Sequence, residues 1–237
     1  MDASAVRPRN PVRAVIFDMD GVLLDSEPLH HRAVNEILAA EGKDGLSSDE
    51  YVPYMGTTDE YTWSDLIRRF QLPEPFEHYR DRYDRTVLEL YRCCSEPAPG
   101  VSTVLAEIRS RGLGLAVASS SRRAWVETCL TTLGIRDRFN IVITGDMVRL
   151  SKPNPEIYLL AARCLGVPPE ACLAIEDSPK GVTAAVGAGM YTIAVASTYA
   201  TEQYTSTAQM RIDSLANLDC SVFDASIGRT TSKVRNG

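Results

Sequence analysis

The sequence predicts an α/β fold in which a Rossmann-like, doubly wound parallel sheet forms the core and an all-helical cap domain is inserted into it. An apolar run at residues 15–17 stops at two carboxylates and a glycine, as a buried parallel strand does at its carboxyl end. From residue 101 onward, apolar runs of strand length alternate with helical patterns, which is typical of right-handed βαβ units. Between these two regions the chain shows helical periodicity without strand-like alternation.

The predicted elements follow one another in a regular order. Helices are expected over residues 29–40, 59–70 and 76–93, and a linker rich in proline and glycine at 95–100 closes this stretch. The order beyond it is helix 101–111, strand 113–118, helix 122–133, strand 140–144, helix 155–165, strand 172–175, helix 179–188 and strand 191–195. We therefore place the core domain at residues 1–24 and 96–237 and the cap at 25–95. The polar ends, 1–11 and 225–237, are expected to be flexible tails.

Composition excludes several classes of function. The chain has 237 residues, of which 44% are hydrophobic, enough for one large core or a core with a small appended domain. Its net charge is −6 and its basic residues are scattered, so we expect no nucleic-acid partner, which would require a basic face. No apolar run approaches the roughly 18 residues of a membrane span, and the polar start does not resemble a signal peptide. The six cysteines show neither C-x-x-C nor zinc spacing, so we expect the protein in the reducing cytoplasm. We also expect it to be a monomer.

Asp18 and Asp20 form the first candidate site, at the end of the first predicted strand. Side chains two residues apart on a strand point the same way, so both carboxylates are expected to face one pocket. Gly21 then lets the backbone leave the strand in a conformation that other residues resist. An EF-hand calcium loop also begins with D-x-D, but aliphatic residues at 22, 23 and 29 occupy its remaining key positions. The pair therefore indicates a divalent cation site or a nucleophile with an acid/base, although a lone D-x-D-G also occurs in ordinary turns.

Polar residues also follow the later predicted strands. Ser119 follows strand 113–118, Lys152 lies beyond strand 140–144, and Glu176 and Asp177 follow strand 172–175. Because the carboxyl ends of parallel strands lie side by side, these groups are expected to meet at one edge of the sheet. The set suits a phosphoryl group with magnesium: carboxylates hold the cation, lysine and hydroxyl neutralise phosphate oxygens, and an aspartate attacks phosphorus. Each group alone has a simpler interpretation as a helix cap or a solvated lysine, but four in order favour one site.

With these motifs in order, residues 13–220 resemble the haloacid-dehalogenase superfamily, in particular its branch with a helical cap, the phosphoglycolate phosphatase and β-phosphoglucomutase-like group. The family motif D-x-D-G-[TV]-[LI]-x-D-[ST] is matched by DMDGVLLDS at residues 18–26, and its apolar strand ending in serine or threonine by Ser119. The motif S-K-P-x-P is matched at 151–155 and E-D-S-x-x-G at 176–181.

The resemblance implies a role for each matched residue. Asp18 resembles the nucleophile, and Asp20 resembles the general acid/base that protonates the leaving oxygen. Asp20 also favours phosphoryl transfer over carbon–halogen cleavage, since a dehalogenase has no leaving alkoxide to protonate. Ser119 and Lys152 resemble the groups that hold the phosphate charge. The implied magnesium ligands are Asp18, the Asp20 backbone carbonyl and Asp177, with Glu176 acting either directly or through a neighbour.

The cap loop bears on which phosphoryl-transfer reaction the chain performs. The family's specificity loop around a glycine resembles residues 54–59 here. The β-phosphoglucomutase pattern has an arginine shortly after that glycine, and Asp59 stands there in this chain, where it would repel a second phosphate. His30, by contrast, occupies the place of a mutase histidine that assists closure. The predicted substrate-binding set is His30, Gly56, Thr57, Thr58, Ser120 and Ser121.

We therefore predict a magnesium-dependent phosphatase that hydrolyses a small phosphorylated metabolite, such as a sugar phosphate, through an aspartyl-phosphate intermediate. The alternative is a β-phosphoglucomutase-like isomerase with the same aspartyl-phosphate chemistry. A third class, a non-catalytic phosphate-binding protein, would typically lack Asp18 or Asp20, and both are present.

Overall fold

A six-stranded sheet lies at the centre of the computed structural model, which describes residues 7–94, 96–196 and 207–224. The strands are β1 (Ala14–Phe17), β2 (Gly114–Ala118), β3 (Ile141–Ile143), β4 (Cys172–Glu176), β5 (Tyr191–Val195) and β6 (Met210–Ile212). Their order in the sheet is β3-β2-β1-β4-β5-β6, and every neighbouring pair is parallel. The predicted parallel α/β fold is therefore confirmed.

Helices cover both faces of this sheet. Those in the described residues are α1 (Glu27–Ala40), α2 (Ser48–Tyr51), α3 (Asp59–Phe70), α4 (Phe76–Arg92), α5 (Val101–Ser110), α6 (Arg123–Thr132), α7 (Glu156–Leu165) and α8 (Pro179–Gly187). Alternation along β1 divides the core into two layers, because successive side chains of a strand face opposite sides. Val15 and Phe17 pack on the side of α5 and α6, whereas Ala14 and Ile16 pack on the side of α7 and α8.

The register of the central strands brings the motif residues to one edge. Phe17 at the end of β1 is aligned with Val117 of β2 and with Ile175 of β4. The amide of Asp18 continues this ladder by donating to the Ile175 carbonyl at 2.9 Å. The residues that follow β1, β2 and β4 therefore emerge side by side, in the crevice where open parallel sheets bind ligands.

The helices between β1 and α5 pack together above this edge, and we call residues 27–92 the cap. Within the cap, α4 contacts α1 and α3, and it also contacts α6 of the core. Large aromatic side chains fill the cap interior and are buried, among them Trp63, Tyr79 and Tyr91. The boundaries of a separate cap domain, placed at residues 25–95 from the sequence, stay a prediction.

The structure adds elements that the sequence analysis does not contain. Helix α2 begins with a capping box, in which Ser47 and Glu50 bond each other's backbone amides, but it spans only one turn. Strand β6 has three residues, too few for a recognisable alternation, and it pairs with β5 at the sheet edge. Of the predicted tail 1–11, Pro8 is buried and the Asn10 side chain donates to the Glu170 carbonyl, so this part lies against the core. Residues 1–6 and the predicted tail 225–237 lie outside the described residues.

Two further observations concern the cysteines and the length of the helices. All six cysteines are free thiols. In the described part of the chain, no helix combines the length and apolar character needed to cross a bilayer.

Candidate active site

Asp18 and Lys152 form the centre of the candidate site. Asp18 follows β1 directly and is buried, and its Oδ1 accepts a hydrogen bond of 2.7 Å from Lys152 Nζ. The lysine comes from the loop before α7 and is itself 6% exposed. Its ammonium also donates to the Ala118 carbonyl at the end of β2, at 2.9 Å. Lys152 therefore places a buried positive charge against Asp18, the predicted nucleophile.

Glu176 anchors this lysine from the other side. Its Oε1 accepts from Lys152 Nζ at 2.6 Å and from the Tyr158 hydroxyl at 2.7 Å. Its Oε2 accepts from the backbone amides of Asp177 and Ser178 and from the Ser178 hydroxyl. Gly181 leaves room for the carboxylate, because a Cβ there would lie 1.8 Å from Glu176 Oε1. Both oxygens of this fully buried carboxylate are thus engaged, which makes Glu176 a group that positions Lys152.

The buried charges of the site do not balance. Burial is the main reason that the pKa of Asp18 is raised to about 8. The negative charges of Glu176 and Asp20 also raise this pKa, whereas the positive charge of Lys152 lowers it. Burial and the neighbouring carboxylates likewise raise the pKa of Asp177 well above its usual value. The pKa of Lys152 is raised because its two carboxylate partners more than offset its burial. One lysine cannot balance this group of carboxylates when all of them are ionised, and the raised pKa values of Asp18 and Asp177 reflect that repulsion.

The same carboxylates fit a divalent cation. One oxygen each from Asp18, Glu176 and Asp177 lies within 4.8 Å of the others. Gly21 has a φ of +73° and lies so close to Asp177 that a Cβ would come within 2.0 Å of its Oδ2, so the turn after β1 tolerates only glycine. Carboxylates, backbone carbonyls and phosphate oxygens are the ligands that magnesium takes in such sites. The donor set suits such a cation, which would favour the ionised forms of Asp18 and Asp177.

Asp20 is held by a different set of groups from Asp18. Its Oδ1 accepts from the Ser26 hydroxyl at 2.7 Å, and its Oδ2 accepts from the Ser121 hydroxyl at 2.7 Å and from Ser119 at 3.4 Å. Ser119 Oγ in turn accepts from the Ser121 amide, which closes the turn after β2. These hydroxyls fix the carboxylate of Asp20 beside the end of β2, so its side chain is not part of the carboxylate cluster around Asp177.

His30 and Tyr91 connect Asp20 to the cap. The Tyr91 hydroxyl of α4 donates to Asp20 Oδ1 at 3.1 Å, and His30 Nε2 of α1 lies 3.9 Å from the same oxygen. His30 Nδ1 is hydrogen-bonded to the Tyr83 hydroxyl at 2.7 Å. Burial alone would raise the pKa of Asp20, but His30 and the serine hydroxyls lower it below its usual value. The cap therefore contacts the predicted acid/base directly.

A family model identifies the chain. Residues 12–189 match the haloacid dehalogenase-like hydrolase model. The chain belongs to this family. It is 35% identical over 216 residues to the protein CbbY of Cereibacter sphaeroides, covering 87% of this chain and 94% of the relative. It is 33% identical to hexitol phosphatase B of Escherichia coli, covering 78% and 83% of the two chains.

Solved structures give the same result for the fold. The crystal structure of CbbY from Rhodobacter sphaeroides in complex with phosphate superposes with a TM-score of 0.78 at 33% identity. The match covers 90% of this chain and 100% of that one. The chain is accordingly an enzyme, a haloacid dehalogenase-like hydrolase.

In this hydrolase the cap loop reaches the core through its backbone. Gly56, with a φ of +65°, exposes its carbonyl, which accepts from Lys180 Nζ of α8 at 2.9 Å. The Thr57 hydroxyl donates to the Tyr54 carbonyl at 2.6 Å, and the Thr58 hydroxyl caps α3 by accepting from the Tyr61 amide. Both threonines are thus engaged within the cap, and their predicted contact with substrate stays a prediction.

The predicted serines after β2 differ from each other in their surroundings. Ser121 bonds Asp20, as described above. Ser120 is exposed, and its carbonyl packs so closely on Gly145 that a Cβ there would lie 2.1 Å from it. Of these two serines, Ser121 contacts the predicted acid/base, whereas Ser120 is exposed.

Four residues that contact or lie near His30 were not predicted from the sequence. Tyr83 and Tyr91 lie eight residues apart on α4. This helical spacing indicates that both side chains lie on the same side of the helix. Three rings surround the His30 ring. The centroid distances are 6.0 Å to Tyr83, 5.9 Å to Tyr91 and 5.5 Å to Trp125 of α6. Glu27, half-buried at the start of α1, lies near His30 and Asp20, and burial raises its pKa. These groups form a buried aromatic cluster around His30 with a carboxylate beside it.

Proposed function

We propose that this hydrolase is a magnesium-dependent phosphatase for small phosphorylated sugars or polyols, working through an aspartyl-phosphate on Asp18. The supporting observation is the separation of two carboxylates into two environments. Asp18 is bonded to the buried ammonium of Lys152, whereas Asp20 is bonded to hydroxyls and to the cap. Two carboxylates with different partners suit two different roles, nucleophile and acid/base.

The residues act in a defined order in this proposal. An oxygen of Asp18 attacks phosphorus, the bond to the leaving oxygen breaks, and Asp20 gives its proton to that oxygen. Lys152 and the Ser119 hydroxyl hold the phosphate oxygens, on which negative charge concentrates. Asp20, now ionised, takes a proton from water, whose oxygen attacks the aspartyl-phosphate and releases inorganic phosphate. A bound magnesium ion, held by Asp18, Asp177 and the Asp20 carbonyl, would offset the charge of the carboxylates and of the phosphate.

Asp20 needs a proton before it can act as an acid. In the free site its hydrogen bonds favour the ionised form. A phosphoryl dianion placed beside it raises its proton affinity, since like charges disfavour the ionised form of a carboxyl. Ser26 and Ser121 keep the carboxylate oriented in either state, because a hydroxyl both donates and accepts.

The substrate class is supported by the relatives and by the polar groups beside Asp20. Hexitol phosphatase B is named for a phosphorylated polyol, and CbbY has a structure with phosphate bound. Beside Asp20, the His30 ring is 13% exposed and the carboxylate of Glu27 is half-buried, and these polar groups suit a chain of hydroxyl groups. A panel of sugar, polyol and small organic phosphates, with released phosphate measured, tests this proposal. Absence of phosphate release from every member would contradict it.

Removing divalent cations is expected to abolish phosphate release. Without a cation, Asp18, Asp177 and the substrate phosphate repel one another. Excess magnesium should restore the rate, whereas calcium should restore it poorly because it takes about six to eight ligands in looser geometry. The measurement is phosphate release after dialysis against EDTA, with EDTA already saturated with magnesium as the control. Full activity in excess chelator would contradict the cation site.

The alternative reaction is that of a β-phosphoglucomutase, in which phosphate returns to a sugar instead of passing to water. The contact of His30 with the acid/base and with the cap favours this reaction, because cap closure excludes water from the intermediate. Asp59 favours the phosphatase, because it stands in the cap loop where a mutase needs a cation.

Incubation with β-glucose 1-phosphate separates the two reactions. We expect free phosphate or no reaction, and trace glucose 1,6-bisphosphate should not start isomerisation. The measurement follows phosphate release and glucose 6-phosphate in the same sample. Accumulation of glucose 6-phosphate that depends on the bisphosphate and far exceeds phosphate release would establish the mutase instead.

A further inference from the structure

Tyr91, near the end of α4, lies between two groups of the site. Its side chain is fully buried, and its hydroxyl lies 3.1 Å from Asp20 Oδ1 and 3.1 Å from His30 Nε2. A phenol has one proton to donate, and an ionised carboxylate can only accept. Tyr91 therefore donates to Asp20, and its oxygen accepts from the Nε2–H group of His30.

The other ring nitrogen of His30 agrees with this arrangement. His30 Nδ1 lies 2.7 Å from the hydroxyl of Tyr83, which is also on α4. When Nε2 carries the proton of a neutral imidazole, Nδ1 is the acceptor, so Tyr83 donates to it. The hydrogen bonds thus run in one direction, from Tyr83 through His30 and Tyr91 to Asp20. The Tyr91 hydroxyl is the last donor in this series and the one that reaches the carboxylate.

The two oxygens of the Asp20 carboxylate have different partners. Oδ1 accepts from Tyr91 and, at 2.7 Å, from Ser26. Oδ2 accepts from Ser121 at 2.7 Å, and its contact with Ser119 is long, at 3.4 Å. Ser119 holds a phosphate oxygen in the proposed mechanism. Oδ2 is therefore the oxygen on the side of the reacting groups, and Oδ1 is the oxygen that the protein holds in place.

We propose that Tyr91 is a positioning residue, which holds Oδ1 of Asp20 and thereby keeps Oδ2 directed at the leaving oxygen. The proposal rests on the proposed phosphatase function and adds a residue of the cap to the acid/base step. As the bond from phosphorus to the leaving oxygen breaks, the proton passes from Oδ2 to that oxygen, and Oδ2 later takes a proton from water. Tyr91 lies 71 residues from Asp20 in the sequence, on a helix that packs on α6 of the core. The orientation of the acid/base therefore depends on how α4 packs on the core.

Removing this hydroxyl should impair mainly the substrates that need a proton on the leaving oxygen. For Tyr91→Phe, we expect kcat/KM on the best sugar or polyol phosphate of the panel to fall at least about ten-fold, because an alkoxide is a poor leaving group. On p-nitrophenyl phosphate, kcat/KM should fall less than about three-fold, because nitrophenolate leaves readily without a proton. The later attack of water is the same for both substrates and does not enter kcat/KM. A general disturbance of the site would lower both values equally.

Tyr79→Phe is the matched control. Tyr79 is another fully buried tyrosine of α4, and its hydroxyl accepts from the Glu74 amide within the cap, at 3.3 Å. The ratio of the two kcat/KM values should keep its wild-type value in this variant, and urea unfolding should show that both variants are folded in the assay. The proposal is overturned if Tyr91→Phe gives the same ratio as Tyr79→Phe. It is also overturned if Tyr91→Phe does not fold, because Tyr91 would then serve only the interior of the cap.

Crystal structures of the wild type and of Tyr91→Phe test the orientation of Asp20 without turnover. His30 Nε2 and Asp20 Oδ1 are 3.9 Å apart, and without the phenol that bridges them they should approach to about 3 Å. The carboxylate should then turn Oδ2 away from Ser119. If the wild type releases no phosphate from any substrate, the proposed function fails, and this comparison still decides whether Tyr91 positions Asp20. An Asp20 carboxylate that stays in place in Tyr91→Phe would overturn the proposal even where the wild type is an active phosphatase.

Discussion

Asp18→Asn is expected to lower kcat by at least ~10⁴-fold, because a neutral amide cannot attack phosphorus as a carboxylate does. The remaining contacts that hold the site do not depend on this oxygen. Lys152 keeps its bonds to Glu176 and to the Ala118 carbonyl. The measurement is phosphate release from the best substrate of the panel, with a detection limit low enough to distinguish a ~10⁴-fold loss from background.

The same substitution is expected to leave the fold intact. Removing a negative charge from the cluster relieves repulsion with Glu176 and Asp177, which offsets the lost ion pair with Lys152. The free energy of unfolding in urea should therefore change by no more than about 1 kcal/mol. Asp137→Asn, at an exposed position away from the site, controls for the substitution itself. Near wild-type activity of a folded Asp18→Asn protein would remove Asp18 as the nucleophile.

The edge of the sheet that carries the candidate site can be predicted from sequence for a physical reason. Strands β1, β2 and β4 are buried on both faces, so each one is a continuous apolar run that a polar residue ends abruptly. Parallel pairing then brings those ends together without any knowledge of distances. The predicted helix 59–70 and strand 191–195 match the structure for a similar reason, since each has a strong pattern and a clear boundary.

What the sequence does not supply depends on contacts between distant residues. Glu176 reads from the sequence only as a carboxylate beside Asp177, with either a direct or an indirect role at the cation. In the structure the Glu176 carboxylate accepts five hydrogen bonds. Two of the donors are distant in sequence: Lys152 in the loop before α7, and Tyr158 in α7 itself. Strand β6 was missed because three residues with little burial carry no periodic signal.

Asp59 shows how a local observation from the sequence can remain incomplete. Its negative charge was visible in the sequence, and so was its place after the cap-loop glycine. Its partner Arg122 lies 63 residues away, directly before α6, and Asp84 of α4, which pairs with the same arginine, comes from a third element. The charge around Asp59 therefore depends on the packing between cap and core and cannot be predicted from any single segment.

Lys152→Met should both unfold the protein more easily and impair catalysis. The substitution leaves Asp18 and Glu176 buried without their cation, and breaking a buried pair in this way costs about 3–5 kcal/mol. It also removes the ammonium from the phosphate, so kcat/KM should fall by at least ~10²-fold. Urea unfolding in buffer with chelator gives the first quantity, because no metal ion can then replace the lost charge. Phosphate release with magnesium gives the second.

A second substitution separates these two effects. In Lys152→Met with Glu176→Gln, the amide oxygen can still accept from the Asp177 and Ser178 amides, and the NH₂ group can donate to the Tyr158 hydroxyl. One of the two uncompensated carboxylates is gone and Asp18 remains, so the double variant should recover about half of the lost free energy of unfolding. Its kcat/KM should stay low, because no cation returns to the phosphate. If activity returned together with stability, Lys152 would serve only to neutralise Glu176, and its proposed contact with the phosphate would be wrong.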